Sequence, residues 1–552
     1  MGAVIRCTGV ALTVSIGLTA SIQAQFPQGG PACGVEAEQL PQLTPLAAQT
    51  GRLATGEVKC FALPLQEGEF IRISVEVDGV VARAFEPHAD RPLQTSQIGK
   101  EAGRYYYPPI LAFQAPSSGL HTIELTAPTE FGTHVRAFSV QVEEYRSATT
   151  QAAHREALHD DPRTASLRDK AVAIRSISAD DEDFTDLAFL REQLRGVRVV
   201  LLGEADHGDG SDFSAKTRLI KFLHREMGFD VLAFESGLFG MSAAWRALQT
   251  DSDHVAAFRK GAFRIWAWSE QVQPLIRYVA ASARTRRPLE LTGFDTQFAG
   301  TAEAESLLPI VRQFLARTGI PSALADPETP PSRALAKRLD RREPEPAEWD
   351  KLIASLVETA AQVERRDAGR EGLFWAQLLR SMSKPGDGIR DRQMAENLMW
   401  LVNRYYKGRK VIVWAHTLHV MRNPQHTLAG RSYGGFSMGQ GIWEALGEES
   451  FVVGFTSYAG TAHRAQQPEE QQQSIAPDQH PAFEFEELMD AAGHNLAWLN
   501  LRRARSTGEW LGGSFLARPI LHTTERAPWS VILDALFFIR TQEPSRRVAG
   551  VR

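Results

Sequence analysis

Two hydrophobic patterns divide the chain. Between about residues 51 and 145, apolar and polar positions alternate with a period of two, in short runs separated by Gly, Pro and Ser. Such alternation predicts antiparallel strands with one buried face, and therefore a small β-sandwich. The clearest runs are residues 59–64, 70–77, 119–125 and 135–142.

After residue 171 the pattern changes to near-continuous apolar runs that alternate with amphipathic helical stretches, such as residues 217–227 and 394–406. Buried strands with helical crossovers are typical of a sheet that is covered on both faces. We therefore expect an α/β domain over residues 172–545, with a central, largely parallel or mixed sheet and helices on both faces. Its predicted strands are residues 197–202, 231–234, 289–292, 411–414, 451–455, 496–501 and 531–539.

One part of this domain departs from the strand–helix alternation. Residues 321–346 are rich in proline and charge, and helical patterns flank them at residues 302–317 and 349–364. We expect this part to be a helical insertion. The polar residues 146–171, which precede the domain, are predicted to be a linker with some helical character.

The N-terminus has the pattern of a secretory signal peptide. Arg6 is the only charged residue before Glu36, an apolar stretch covers residues 7–20, and Ala24 stands at a suitable cleavage point. The apolar stretch is short for a transmembrane helix; an uncleaved anchor is the alternative. We therefore expect residues 1–24 to be removed, residues 25–145 to form the β-sandwich domain, and the protein to be periplasmic or secreted with no membrane span after cleavage.

Composition and cysteine content limit the class of protein, its partners and its possible disulfides. The 552 residues are 43% hydrophobic and 23% charged, which is typical of a globular protein of several domains. A net charge of -5 and the lack of a basic stripe argue against a nucleic-acid partner. In an oxidising compartment Cys33 and Cys60 could form a disulfide, and two unpaired thiols are the alternative. The sequence does not specify an oligomeric state.

Polar side chains follow four of the predicted strands. The carboxyl ends of parallel strands meet at one edge of a sheet, where open α/β folds bind ligands, so we expect these side chains to converge. The alternatives are a helix cap at the first strand and structural histidines elsewhere. The residues are Glu204, His207, Glu235, Asp295, His416 and His419.

These residue types favour hydrolysis. Histidine has an ordinary pKa near neutrality, so His207 could act as a general base that removes a proton from water, assisted by Glu204. His416, if protonated, could stabilise an oxyanion or protonate a leaving alkoxide. Lys216 is predicted at the start of the next helix and could face the crevice; a solvated lysine is the alternative. No Gly-x-Ser-x-Gly motif is present, so a serine nucleophile is not expected.

Ordered sequence blocks resemble the erythromycin esterase family over residues 172–540. They include Leu-Gly-Glu-Ala-Asp-His-Gly at 202–208, Gly-Phe-Asp-Thr-Gln at 293–297, Arg-Asp-Arg-Gln-Met-Ala-Glu-Asn at 390–397 and Trp-Ala-His-Thr-Leu-His at 414–419. The resemblance implies a metal-independent esterase that opens a macrolide-type lactone with an activated water. It implies His207 as the base, with Glu204, Glu235 and His416 as catalytic neighbours. It also implies substrate-binding groups, for which we choose Lys216, Arg218, Asp295 and His419.

Two features depart from the family pattern. Asp206 stands where many members have Thr or Ser, and a carboxylate there would raise the pKa of His207 or orient it. The export signal and β-sandwich are the second departure, and they weaken macrolide resistance as the physiological role. The β-sandwich itself resembles the bacterial pre-peptidase C-terminal domain, which implies an accessory or binding module without catalysis.

Two other functions stay open at this point. Glu204, His207, Glu235 and His416 could ligate a divalent metal ion in a metal-dependent hydrolase, although no cofactor is expected from the resemblance. The chain could also be a non-catalytic envelope protein that binds ligands on a hydrolase scaffold. The expected partner of the enzyme is a small-molecule ester or lactone.

Overall fold

The computed structural model describes residues 31–45, 47–76, 79–96, 100–102, 105–107, 109–127, 135–340, 342, 344–384, 389–467, 472–477, 479–480 and 482–550. The predicted signal peptide, residues 1–24, lies outside the described residues. Within the described part, no helix combines the length and hydropathy that a bilayer crossing needs.

The N-terminal region is the expected antiparallel β-sandwich. Its strands are β1 (Ala48–Ala54), β2 (Val58–Leu65), β3 (Phe70–Glu76), β4 (Val81–Phe85), β5 (Gln94–Thr95), β6 (Lys100–Ala102), β7 (Tyr105–Tyr107), β8 (Ile110–Gln114), β9 (Gly119–Thr126) and β10 (Val135–Arg146). One four-stranded sheet has the order β1-β10-β3-β8 and the other β2-β9-β4-β5, while β6 and β7 form a separate antiparallel pair. Leu63, Ile73 and Val140 belong to the core between the sheets.

A disulfide joins Cys33 to Cys60. Cys60 lies on β2, whereas Cys33 lies in the chain that precedes β1. Leu43 in that preceding chain is 1% exposed and belongs to the sandwich core. The disulfide and this buried leucine hold residues 33–43 against the sheets of the first domain.

The segment predicted as a linker, residues 146–171, is an ordered pair of helices, α1 (Ala148–Asp160) and α2 (Pro162–Lys170). The Ser147 hydroxyl accepts a hydrogen bond from the Thr150 amide, and the Asp161 carboxylate accepts one of 2.8 Å from the Arg163 amide. These are N-terminal caps, which stabilise the first turn of a helix. Both helices pack against the helix at Phe485–Ala491, so the segment joins the two parts of the protein without an extended connection.

The second part contains a nine-stranded mixed sheet. Its strands are β11 (Val172–Ala173), β12 (Val199–Glu204), β13 (Phe229–Gly237), β14 (Glu290–Asp295), β15 (Lys410–His416), β16 (Ser450–Ala462), β17 (Gln473–Ile475), β18 (Leu496–Asn500) and β21 (Ala535–Gln542). The other two strands, β19 (Phe515–Ala517) and β20 (Glu525–Ala527), form a separate two-stranded sheet. The sheet order is β11-β18-β21-β16-β12-β15-β13-β14, with β17 paired to β16. Strands β21 to β14 in this order are parallel, whereas β18, β11 and β17 are antiparallel to their neighbours.

Helices cover both faces of this sheet, as predicted. On β12, Val199 and Leu201 belong to one hydrophobic core and Val200 and Leu202 to the other, because side chains alternate along a strand. The helices are α3 (Leu190–Gln193), α4 (Gly210–Met227), α5 (Leu238–Thr250), α6 (His254–Arg259), α7 (Arg264–Ala267), α8 (Gln273–Ser282), α9 (Leu308–Thr318), α10 (Pro330–Leu339), α11 (Pro346–Arg366), α12 (Arg370–Met382), α13 (Arg390–Trp400), α14 (Thr417–Val420), α15 (Leu428–Ser432), α16 (Met438–Leu446), α17 (Phe485–Ala491), α18 (Leu501–Ala504) and α19 (Trp529–Ile532). Helices α9 to α12 form the predicted helical insertion.

Several predicted boundaries differ from the structure by a few residues, and two of the differences change how elements are assigned. The helix expected at residues 217–227 begins earlier, at Gly210, so Lys216 lies in its second turn. The strand expected at 531–539 begins only at Ala535, because Val531 and Ile532 belong to α19. A continuous apolar run does not distinguish a buried helical turn from a strand, which explains the second difference.

Candidate active site

Four neighbouring parallel strands bring polar side chains to one edge of the sheet. In the order β14, β13, β15 and β12, the strands carry Asp295, Glu235, His416 and Glu204 at or near their carboxyl ends. Glu204 and His416 are direct partners in the pairing of β12 with β15. His207 follows in the turn after β12. The predicted convergence of these side chains is therefore observed.

His207 is bound to a fully buried carboxylate. Its Nδ1 lies 3.2 Å from Glu204 Oε1, and its side chain is 20% exposed, whereas the side chain of Glu204 is 0% exposed. The Trp266 indole N–H also donates to Glu204 Oε1, at 3.2 Å, and the indole ring meets the His207 ring edge to face. The imidazole is thus held by its Nδ1 side.

Lys216 completes the charge pairing around Glu204. Its ammonium group, which is also 0% exposed, forms an ion pair with Glu204 Oε2 and donates a 3.2 Å hydrogen bond to the Ala415 carbonyl. The ammonium lies 4.1 Å from the centre of the Trp414 ring, within the range of a cation–π contact. Burial lowers the pKa of Lys216, and the Glu204 carboxylate opposes that shift. The alternative of a solvated lysine is therefore wrong.

His416 is a neutral side chain in this site. Burial and the neighbouring His207 hold the pKa of His416 well below its ordinary value. Its Nδ1 accepts a 3.0 Å hydrogen bond from the Leu418 amide, so the ring proton lies on Nε2. The role considered from the sequence required a protonated His416, and these contacts disfavour that form. Any role of this residue is therefore that of a neutral hydrogen-bond donor through Nε2. The two rings of His416 and His207 are 4.9 Å apart, centre to centre.

A second cluster surrounds Glu235. Arg390 donates to Glu235 Oε1 at 2.9 Å and makes a bidentate contact with Asp295, at 3.0 and 2.7 Å. His419 Nε2 lies 3.2 Å from Glu235 Oε1, and its Nδ1 lies 3.0 Å from both oxygens of Asp391. Each carboxylate in this cluster therefore faces at least one cationic or histidine side chain.

These contacts favour the charged forms of both an acid, Glu235, and a base, His419. Burial opposes ionisation of Glu235, but His419 and Arg390 hold its pKa well below the ordinary range. Burial also opposes protonation of His419, but the carboxylates of Glu235 and Asp391 raise its pKa above the ordinary value. The second cluster thus favours an ionised Glu235 and a protonated His419.

Asp206 is paired with an arginine from the loop after β16. Arg464 Nη2 lies 2.9 Å from Asp206 Oδ2, and the Gly208 amide donates to Asp206 Oδ1 at 2.8 Å. Burial works against ionisation of Asp206, yet Arg464 and then His207 hold its pKa well below the ordinary range. This carboxylate therefore orients the turn that carries His207.

Arg218 was expected in the site, and the structure does not bring it there. It is two residues from Lys216 on α4, which rotates its side chain about 200° away around the helix. Its guanidinium donates to Asp186 at 2.7 Å and to the Ser176 carbonyl at 2.9 Å. Arg218 therefore fixes the chain before α3 and does not face the crevice.

Four side chains in the site were not predicted from the sequence. Arg390 and Asp391 lie within a sequence block that supports the family resemblance, but that block begins a helix and follows no strand. Trp266 and Arg464 belong to none of these blocks. Only Arg390 and Asp391 thus had a signal that could have identified them.

The geometry bears on the metal-dependent alternative. Both candidate carboxylates already have cationic partners, Lys216 for Glu204 and Arg390 for Glu235. Among the residues that the structure describes, three or more ligand atoms of His, Cys, Asp or Glu lie within 4.8 Å of one another only at Cys33, Cys60 and Glu124. Those two cysteines are joined in the disulfide. The site residues do not form a ready-made metal-binding set.

Comparisons with known proteins identify relatives of this chain. A family model described as Erythromycin esterase matches residues 224–540. The putative hydrolase YbfO of Bacillus subtilis (strain 168) is 26% identical over 324 residues, which cover 52% of this chain and 70% of YbfO. Erythromycin esterase type II of Escherichia coli is 24% identical over 336 residues, which cover 53% of this chain and 77% of that protein.

Solved structures share the fold. A succinoglycan biosynthesis protein aligns with a TM-score of 0.57 at 18% identity, covering 71% of this chain and 98% of that chain. A mutant of the erythromycin esterase EreC in its open conformation aligns with a TM-score of 0.50 at 15% identity, covering 69% of this chain and 100% of that chain. At these identities the likeness shows the fold alone.

Proposed function

Because the chain belongs to the erythromycin esterase family, we propose that it is an exported hydrolase that cleaves a carboxylic ester or lactone with a water activated by His207. The contact between the partly exposed His207 and the fully buried Glu204 carries this proposal. It is the arrangement that a general base needs, since one ring nitrogen is anchored and the other is left for the reaction.

The proton transfers follow from this anchoring. With Nδ1–H donating to Glu204, His207 Nε2 is unprotonated and can remove a proton from water. The resulting hydroxide attacks the ester carbonyl carbon and forms a tetrahedral intermediate. When the carbon–oxygen bond to the leaving group breaks, protonated His207 returns its proton to the alkoxide. The ion pair with Lys216 holds the Glu204 carboxylate in place during both transfers.

Charge on the intermediate needs donors on the opposite side of the substrate. His416 can supply a neutral Nε2–H, since its Nδ1 accepts from the Leu418 amide. Arg390 adds positive potential around Glu235, as does His419 when it is protonated, in a buried setting where such interactions are strong. We propose that His416 faces the developing oxyanion and that the second cluster orients it, because Glu235 Oε2 accepts the His416 backbone N–H at 2.9 Å.

The substrate class is the finer part of the proposal. The name of the Escherichia coli relative, erythromycin esterase type II, supports testing macrolide lactones. Identity of 24% over about half of this chain leaves simpler esters as equal candidates, because a shared fold does not fix the substrate. We propose ester or lactone hydrolysis as the reaction and macrolide-type lactones as one substrate class within it.

A substrate panel on purified wild type and His207→Asn tests the function. We expect hydrolysis of at least one ester or lactone by wild type, and a loss of about 10²–10⁴-fold in the variant because the base is removed. Unchanged activity in His207→Asn would contradict the role of His207. Absence of activity on the whole panel, together with specific binding of an ester, would favour a non-catalytic binding protein. Loss with chelator and recovery with zinc or manganese would favour the metal-dependent alternative.

We propose further that the protein is exported to the periplasm or beyond the cell. The disulfide between Cys33 and Cys60 supports an oxidising compartment, and the N-terminal pattern supports cleavage after Ala24. Fractionation of cells that express the full chain, followed by mass spectrometry of the N-terminus, tests this. We expect a mature chain that starts at Gln25 outside the cytoplasm; an intact cytoplasmic chain with reduced cysteines would contradict export.

A further inference from the structure

The turn that carries His207 is hydrogen-bonded to a loop that lies more than 300 residues later in the chain, at Leu521 and His522. The Leu521 amide donates a 2.9 Å hydrogen bond to the Ala205 carbonyl. His522 Nε2 lies 2.9 and 3.0 Å from the two oxygens of Asp209. Two adjacent residues of one loop therefore contact both ends of the turn at residues 205–209.

Asp209 transmits this contact into the turn itself. Its Oδ2 accepts a 2.7 Å hydrogen bond from the backbone amide of Asp206, the residue before His207. Asp209 also stands at the N-cap position of α4, yet its side chain makes no capping bond there. A capping aspartate normally binds the amides of the first helical turn. Here the carboxylate is used instead to join His522 to the backbone beside the proposed base.

The loop adopts an unusual backbone to make these contacts. Leu521 and His522 have φ angles of 52° and 51°, in the left-handed region that non-glycine residues rarely occupy. Such conformations are unfavourable for residues other than glycine and persist where the surrounding structure enforces them. The His522 side chain is 3% exposed and the Asp209 side chain is 0% exposed. Two strained residues in succession, buried against the turn of the base, point to a functional constraint.

We propose that His522 and Asp209 form a clamp that positions His207, with His522 as a positioning residue that does not touch the substrate. His522 Nδ1 is buried and has no hydrogen-bond partner among the described residues. A ring proton on Nε2, and none on Nδ1, avoids a buried, unpaired N–H at Nδ1. His522 thus donates to Asp209, Asp209 accepts from the Asp206 amide, and the turn is fixed relative to Glu204. The inference rests on the proposed role of His207.

Two substitutions at position 522 separate the hydrogen bond from general packing. Asparagine tolerates a positive φ, and its side chain is too short to reach Asp209, so His522→Asn breaks the bond with little added strain. Glutamine can place an amide N–H near the position of Nε2, so His522→Gln restores the donor. The matched control is His224→Asn. His224 is buried on α4 and bonds Tyr278 and the Arg287 carbonyl at 2.6 and 3.0 Å, away from the turn.

The experiment measures kcat, KM and hydrogen exchange of the amides at residues 205–209 in the full chain. For His522→Asn we expect kcat to fall roughly 10- to 100-fold, since a misplacement of about 1 Å has such an effect. KM should stay within about twofold and exchange at the turn should become faster. His522→Gln should recover most of both properties, and His224→Asn should change neither.

Two results would overturn the clamp. One is that His522→Asn behaves like the His224→Asn control: its melting temperature falls, but its kcat and the hydrogen exchange of the amides at residues 205–209 stay unchanged. The other is His522→Gln that fails to restore either property. If His522→Asn does not fold, Asp209→Ala removes the acceptor of both His522 and the Asp206 amide and must show the same two effects. If wild type hydrolyses no ester, the exchange measurements still test the clamp, and the failed proposal is then the hydrolase function.

Discussion

Lys216 and Glu204 form an ion pair from which water is wholly excluded, since both side chains are 0% exposed. Removing one partner of such a pair leaves an uncompensated buried charge, which costs about 3–5 kcal/mol. We therefore expect Lys216→Met to lower the free energy of unfolding by that amount, measured by urea denaturation. Ester hydrolysis should fall as well, because Glu204 without its ion-pair partner is no longer held in the position that orients His207.

A double variant separates the stability effect from the catalytic one. Glu204→Gln combined with Lys216→Met leaves no unpaired charge, so we expect it to recover most of the lost free energy of unfolding. Hydrolysis should stay as low as in the single variant, because the neutral amide does not stabilise a protonated His207. Recovery of hydrolysis together with stability would show that the pair is structural and has no part in the reaction.

Glu303 is a buried acid outside the proposed reaction, and it makes stability depend on pH. It is 2% exposed, its Oε1 accepts a 2.9 Å hydrogen bond from the Gly240 amide, and Oε2 has no hydrogen-bond partner among the described residues. Burial raises its pKa from 4.5 to about 7. The folded state therefore holds a proton that the unfolded chain releases above pH 4.5. The contribution of this proton to the free energy of unfolding is fully present below pH 4.5 and is lost as the pH rises towards 7.

We expect Glu303→Gln to remove this pH dependence. The shift from 4.5 to about 7 corresponds to about 3 kcal/mol at 1.36 kcal/mol per pKa unit. Between pH 4.5 and pH 8, wild type should lose about that much more free energy of unfolding than the variant, as measured by urea denaturation at both pH values. Equal losses in the two proteins would contradict a raised pKa at Glu303.

At the scale of elements, the end of β12 is packed directly against α14. A Cβ atom on Gly203 would lie 2.5 Å from Val420 Cγ2 and 2.8 Å from the Thr417 Cα atom. The Thr417 hydroxyl bonds the carbonyls of Gly203 and Glu204, at 2.7 and 2.9 Å. This close approach fixes the strand that carries Glu204 against the helix that carries His419.

Gly203→Ala should disturb both clusters of the site at once. Overpacking of this kind typically costs about 1–3 kcal/mol, and we expect hydrolysis to fall more than tenfold because β12 and α14 must separate. Gly513→Ala is the control, since its added Cβ would meet only the Trp510 carbonyl oxygen, at an ordinary 3.4 Å. Similar thermal stability and activity in the two variants would contradict a tight β12–α14 contact.

Elements and their polar ends could be predicted from the sequence more readily than the orientation of helical side chains. Glu204, Glu235 and His416 follow apolar strands, and the position of a strand end in a parallel sheet determines where its last side chain lies. Lys216 and Arg218 both lie on α4, and only the packing of that helix decides that Lys216 faces the site. Arg390 begins α13, about 95 residues after Asp295, its partner in the structure. Pairings of this kind arise from tertiary packing and leave no local pattern.

At the scale of the whole molecule, the β-sandwich rests on the α/β part through polar contacts. The Thr95 amide of β5 donates to the Ser474 hydroxyl of β17 at 3.0 Å, and β17 pairs with the end of β16. The Arg146 guanidinium, at the end of β10, bonds the Gln479 carbonyl. The Cys33–Cys60 disulfide lies in the sandwich, whereas the proposed site lies at the carboxyl ends of the parallel strands. Stability of the sandwich and activity of the site should therefore respond differently to loss of the disulfide.

Replacement of both cysteines by serine tests this separation. The disulfide joins residues 27 apart, and closing a loop of that size stabilises the folded state by about 3–4 kcal/mol in the chain-entropy description. We expect the double variant to show an unfolding transition of the sandwich at lower temperature in calorimetry, and faster proteolysis near residues 33–43. Wild type treated with a reducing agent should show the same lower transition and faster proteolysis as the double variant.

Activity of the double variant at a temperature below that transition should stay within about twofold of wild type, because the Glu204–His207 pair and its partners all belong to the α/β part. A proportional loss of activity at that temperature would mean that the sandwich contributes to the site, and that the accessory module acts in catalysis or substrate binding.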